Sequence, residues 1–134
     1  YEFAMDSAAL LAQNGIRVYV FESLRPTPEL SFAVRHHHCF GGIMITASHN
    51  PPKYNGYKVY WDDGAQIVAP HDKEIISEVN KVKDYSLIRS ISLEEAKKQR
   101  LYNVVGKAID KLYMRAIKKQ ILNPEIIKEV ENQI

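Results

Sequence analysis

Ser48 closes the apolar run Gly42-Ile43-Met44-Ile45-Thr46-Ala47 and is followed at once by His49-Asn50-Pro51-Pro52. A buried strand that stops this way presents a hydroxyl at the lip of a sheet. Neither proline offers a backbone N–H to a ladder, so the strand cannot continue through them. The loop beyond is expected to be rigid and exposed, and such loops at strand ends are where chemistry gathers. A serine hydroxyl is a poor nucleophile until a base or an ion activates it. In one reading Ser48 attacks a carbonyl, but the Gly-x-Ser-x-Gly elbow of that chemistry is missing. In the other, Ser48 carries a phosphoryl group, whose transfer asks mainly for positioning and positive charge. His49, Lys53 and Lys58 supply charge nearby.

The elements around the loop follow from local signals. Phe3, Ala4, Ala8 and Leu11 share a helical face, and Asn14-Gly15 supplies a left-handed stop. Ile16 to Phe21 reads as a strand. In Arg25-Pro26-Thr27-Pro28-Glu29, Thr27 suits an N-cap, Pro28 the first helical position and Glu29 the positive helix end. That helix is predicted to reach about His37, with Gly41-Gly42 breaking the chain before a strand from Ile43 to Ala47. Tyr57, Val59 and Trp61 alternate as the core face of the next strand. Asp62-Asp63-Gly64 predicts a hairpin turn, with 65–68 returning. Pro70, His71 and Asp72 open a helix whose apolar stripe is Ile75, Ile76, Val79 and Val82.

Beyond Lys83 the texture changes to a polar linker. Ser92-Leu93-Glu94-Glu95 is a capping-box pattern, and Ile109, Leu112, Tyr113, Ala116, Ile117 and Ile121 form an amphipathic stripe. Asn123-Pro124-Glu125 caps one more helix. These helices are read as having no strands of their own to cover. The expected class is α/β: a mixed, mostly parallel sheet with helices on both faces and an antiparallel hairpin edge, followed by a helical segment. The expected division is 1–88 for the serine-bearing unit and 89–134 for a linker and helices opening a second. Tyr1 already reads as mid-helix and Val130 to Ile134 carry no stop signal, which points to a piece of a longer protein.

Thr46-Ala47-Ser48-His49-Asn50-Pro51 resembles the phosphoserine signature of the α-D-phosphohexomutase family, which includes phosphoglucomutase and phosphomannomutase. The flanks agree. Pro26-Thr27-Pro28 resembles the family's helix start, and Asn55-Gly56-Tyr57-Lys58-Val59 its Asn-Gly-aromatic-Lys segment. Gly64-Ala65-Gln66-Ile67 with Pro70-His71-Asp72-Lys73 resembles the subgroup that includes phosphopentomutase-like members. The likeness covers about residues 1–80. It implies that Ser48 carries the phosphoryl group and lends its phosphate to Mg²⁺. It implies that Lys58 is the general acid/base and that His49 belongs to the transfer loop. The implied reaction interconverts hexose 1-phosphate and 6-phosphate, glucose first, through glucose 1,6-bisphosphate. Phosphomannomutase, phosphopentomutase and a non-catalytic phosphosugar-binding module are the alternatives. An ammonium beside several anions holds its proton tightly, so Lys58 is expected to act as an acid or charge clamp.

The family's aspartate-rich metal loop does not occur in this sequence, nor do its sugar-recognition and phosphate-clamp segments. The implied partners are therefore a sugar phosphate and the remaining domains of the same polypeptide, and the chain alone is expected to be inactive.

The bulk numbers are ordinary. A chain of 134 residues, 46% hydrophobic and 25% charged with a net charge of +2, makes no global case for nucleic acid or a membrane. Cys39 stands alone, so no intrachain disulfide forms, and a reducing, cytoplasmic setting is expected. Cys39 reads as a small buried hydrophobe, and His36-His37-His38 as a helix terminus rather than a metal site. Lys97-Lys98 with Arg100, and Lys118-Lys119, read as solvated faces.

Overall fold

The computed structural model describes residues 1–130; the terminal residues 131–134, where the sequence shows no stop signal, lie outside them. The chain runs α1 (Glu2–Gln13), β1 (Val18–Phe21), α2 (Thr27–His36), β2 (Gly41–Thr46), β3 (Gly56–Trp61) and α3 (His71–Val79). It continues with α4 (Leu93–Lys98), β4 (Tyr102–Val105), α5 (Lys107–Lys118) and α6 (Ile126–Val130). The α/β class holds, with one parallel and one antiparallel strand pair.

The parallel pair joins β1 to β4, with Val18 opposite Tyr102 and Phe21 opposite Val105. The sequence reading places no strand after Lys83, and Tyr102-Asn103-Val104-Val105 corrects it. A four-residue strand is too short to show a period. Its identity comes from what it packs against. Ala8, Ala12, Val18, Ala96 and Tyr102 form one buried cluster, with Met5, Leu11, Leu93 and Leu101 against it. Small residues on α1 and α4 let the two helices approach, and Ala96 is wholly enclosed. The core face of α1 is therefore the Ala8–Ala12 step, while Phe3 stays exposed. Ser92 caps α4 as predicted, its Oγ accepting from Glu95 N–H at 3.2 Å.

In the antiparallel pair, Gly41 lies opposite Trp61 and Thr46 opposite Gly56. Gly41 and Gly42 do not break the chain. They open β2, because nothing larger fits. A Cβ at Gly41 would stand 2.6 Å from the Tyr60 carbonyl oxygen, and one at Gly42 would stand 2.6 Å from Val34 Cγ2 on α2. Helix α2 thus lies on the face that carries Gly42, and Gly42 pairs with Tyr60. Tyr60 is buried and Tyr57 exposed, which reverses part of the expected core face. Both faces of this strand carry aromatic side chains, so alternation alone could not choose between them.

The turn after β3 forms where Asp62-Asp63-Gly64 predicts it. Gly64 adopts φ +78° and donates to the Trp61 carbonyl at 3.0 Å. The return is a single bridge, Tyr60 to Gln66, rather than a full strand. Helix α3 forms, yet none of its residues is buried, and Ile76 and Val79 are exposed. In α2 the cap position belongs to Pro26, with Thr27 already helical and Pro28 second. Glu29 sits in the first turn as expected, but it is buried.

Helix α5 crosses α2, where Phe32 and Tyr113 meet with ring centroids 5.6 Å apart. An ion pair fastens the crossing. Arg25 Nε and Nη2 each reach an Asp110 oxygen at 2.8 Å.

Candidate phosphoryl-carrier loop

Strand β2 delivers the chain to Ser48, and the backbone there turns into the left-handed region, φ +55°. A non-glycine residue pays roughly 1–2 kcal/mol in that conformation. Thr46 offsets part of this cost, since its Oγ1 accepts the Ser48 N–H at 3.0 Å. Asn50 N–H donates to the Ala47 carbonyl at 2.9 Å and closes the turn. Residues 52–54 then form a short 3₁₀ helix, locked by Tyr54 N–H on the Pro51 carbonyl at 2.9 Å. The serine is thereby held exposed at the lip of the ribbon. Thr46 is the positioning residue that the sequence reading passed over. A threonine two residues before a turn residue is the signal that could have found it.

The three residues named from sequence reach the same end of the β2–β3 ribbon. Ser48 lies two residues beyond Thr46, the last paired residue of β2, and His49 follows it into solvent. Lys58 lies two residues inside Gly56, the partner of Thr46, and is half-buried opposite Met44. Two residues of strand set it back by roughly 7 Å. Among the described residues no hydrogen bond joins Ser48, His49 and Lys58 to one another. Lys53 turns aside, its Nζ 5.1 Å from the centre of the Tyr54 ring.

No cluster of three His, Cys, Asp or Glu side chains that could hold a metal ion occurs among the described residues. The protein groups at the loop therefore do not by themselves form a Mg²⁺ site. The histidine run makes none. His36 stacks on Phe32 at 5.8 Å, His37 stacks on Tyr19 at 4.9 Å, and His38 turns off the helix at φ +51°. Burial lowers the His37 pKa, with His36 adding to the effect. Cys39 is half-buried and its thiol pKa is pushed up by burial, as suits a small hydrophobe. No helix among the described residues is long and apolar enough to cross a membrane.

An α/β unit that holds an exposed serine just beyond the end of a strand defines a class of loop-borne sites. Comparison with known proteins narrows the class. Residues 1–86 match the model of the phosphoglucomutase/phosphomannomutase alpha/beta/alpha domain I, and the chain belongs to that family. It is 56% identical over 73 residues to a Homo sapiens phosphopentomutase, a stretch covering 54% of this chain and 12% of that protein. It is 47% identical over 81 residues to a Staphylococcus epidermidis phosphoglucomutase, covering 60% of this chain and 15% of the relative. A probable phosphomannomutase of Haemophilus influenzae is 45% identical over 83 residues, covering 60% and 17%. The matched stretch is thus a small part of each relative's length.

Proposed function

We propose that this chain is the phosphoryl-carrier portion of a phosphohexomutase that interconverts hexose 1-phosphate and 6-phosphate, with glucose as the sugar. The observation that carries the reading is Ser48 itself, exposed and held at φ +55° by Thr46 within the segment that matches the family. In the forward step a hydroxyl of the sugar monophosphate attacks the phosphorus on Ser48. The new sugar O–P bond forms as the Ser48 Oγ–P bond breaks, and the hydroxyl proton passes to solvent water. The resulting bisphosphate, glucose 1,6-bisphosphate, turns over and returns its other phosphate to Ser48 Oγ.

Lys58 is assigned the acid or charge-clamp role, and His49 a place in the transfer loop. Mg²⁺ would neutralise charge on the moving phosphoryl group. Of this chain's residues only phosphorylated Ser48 is offered as a ligand, with further ligands and the sugar-recognition groups supplied by other domains of the same polypeptide. On that account the 134-residue chain alone is inactive, and the setting is the cytoplasm.

A second reading has its own support. The relatives' names differ in the sugar, and the Homo sapiens relative is named for a pentose. A pentose phosphate is therefore the competing substrate.

Mass spectrometry of the Ser48 peptide tests the proposal, both on the protein from its own cells and after incubation with glucose 1,6-bisphosphate. A phosphate adduct on Ser48 supports the carrier role. Unmodified serine in both samples, together with reversible sugar phosphate binding, would establish the non-catalytic binding module instead.

A further inference from the structure

Among the described residues the strands fall into two pairs, and no ladder joins β1 to β2. Helix α2 touches both pairs. Val34 on α2 meets Gly42 of β2 so closely that no Cβ would fit between them. At the C-terminal end of α2 the His37 ring stacks on Tyr19 of β1, with centroids 4.9 Å apart and planes within 6°. His37 thus stands at a joint between the ribbon that leads to Ser48 and the β1–β4 pair. Its Nε2 is buried with no hydrogen-bond partner among the described residues. In a neutral imidazole this nitrogen can stand as a bare lone pair while Nδ1 holds the proton. An imidazolium carries N–H on both nitrogens, and a buried N–H without an acceptor is costly. The titratable groups that face the ring are the Tyr19 phenol from β1 and the His36 imidazole, edge-on from α2 at 5.1 Å. A proton on His36 would set a like charge beside the ring. Among the described residues no carboxylate pairs with His37.

We infer that His37 is a pH-sensitive joint: neutral, it seals the end of α2 onto β1, and protonated, it leaves Tyr19 and frees that end. The device is independent of what Ser48 carries. It acts on the helix that also covers the strand leading to Ser48.

Two features favour a cation here, the C-terminal end of a helix and the face of a tyrosine ring. Neither gives the buried Nε2 an acceptor. The titration direction agrees with the geometry. Burial lowers the His37 pKa from its ordinary 6.5, and His36 lowers it further. A base with a depressed folded pKa binds its proton more readily in the unfolded chain. The His37 contribution to docking is therefore fully present above the ordinary histidine value. It is lost as pH falls below that value, and the loss levels off beneath the depressed midpoint.

Two measurements on the 134-residue chain test the joint. NMR follows the imidazole resonances of His37 across pH beside those of the exposed His38 and His49. Hydrogen exchange, corrected for intrinsic rates, follows the amides of His37 and Cys39, which donate to the Ala33 and Val34 carbonyls at 2.9 Å each. His37 is expected to titrate below both exposed histidines. Protection of the two amides is expected to fall by about tenfold for each pH unit between the ordinary histidine value and the His37 midpoint. His37→Phe keeps a ring for Tyr19 and cannot titrate, so its protection should stay level over that interval. A His37 midpoint among those of the exposed histidines overturns the inference. So does wild-type protection that stays level over the interval, or a His37→Phe variant that loses protection in step with wild type. If that variant does not fold, the two wild-type measurements decide.

Discussion

Thr46 Oγ1 accepts the backbone N–H of Ser48 at 3.0 Å while Ser48 stands at φ +55°. The hydroxyl of one residue thus holds the other in a conformation that it would otherwise leave. A net contribution of about 1 kcal/mol is ordinary for such a bond. Thr46→Val keeps the shape and removes the acceptor. The Ser48 amide is expected to exchange several-fold faster, with little loss of global stability, in a hydrogen-exchange measurement. An unchanged amide would show that the prolines alone hold the loop.

The same strain predicts a conflict between stability and function at position 48. Ser48→Gly removes the penalty of the left-handed backbone but adds chain entropy to the unfolded state. The expected net gain is about 0.5 kcal/mol in denaturant unfolding. On the proposed carrier role, no phosphate adduct is expected at position 48 of this variant. A loss of stability on this substitution would mean that the Ser48 side chain makes an unrecognised structural contact.

Gly42 is expected to tolerate no Cβ. Val34 is buried and β-branched, and it would face a new methyl at 2.6 Å. Gly42→Ala should cost roughly 1–3 kcal/mol, the usual range for overpacking. The readout is the denaturant midpoint. A neutral result would mean that α2 can slide away from β2.

Lys58→Met tests the acid or charge-clamp role in the complete enzyme. Transfer from phospho-Ser48 to sugar phosphate and the return half-reaction should slow unequally, with weaker sugar phosphate binding. Equal slowing with binding untouched counts against a clamp.

The core crosses the proposed division between 88 and 89. Tyr102 and Ala96 complete the cluster around Ala8, Ala12 and Val18, and β4 is the hydrogen-bonded partner of β1. A chain ended at residue 88 is expected to lose cooperative unfolding by circular dichroism, whereas one ended at residue 118 retains it. A sharp transition in the shorter chain would show that residues 1–88 are self-sufficient.

Much of the fold was legible because its signals are local. Asn14-Gly15, Asp62-Asp63-Gly64 and Ser92 are read within a few residues, and each sits where its turn or cap chemistry requires. The burial of Tyr60 rather than Tyr57 was not legible, because an aromatic side chain fits either face and only the position of α2 chooses.

The sequence by itself determined that a serine ends an apolar strand, that two prolines stiffen the loop beyond it, and that the segment bears its family's signature. These depend on residue type and spacing. The tertiary structure alone decided the φ of Ser48, the pairing of β1 with β4, and the pairing of Arg25 with Asp110. The Arg25–Asp110 contact spans 85 residues of sequence. Contacts of that range depend on which faces are buried together, and no local pattern encodes them.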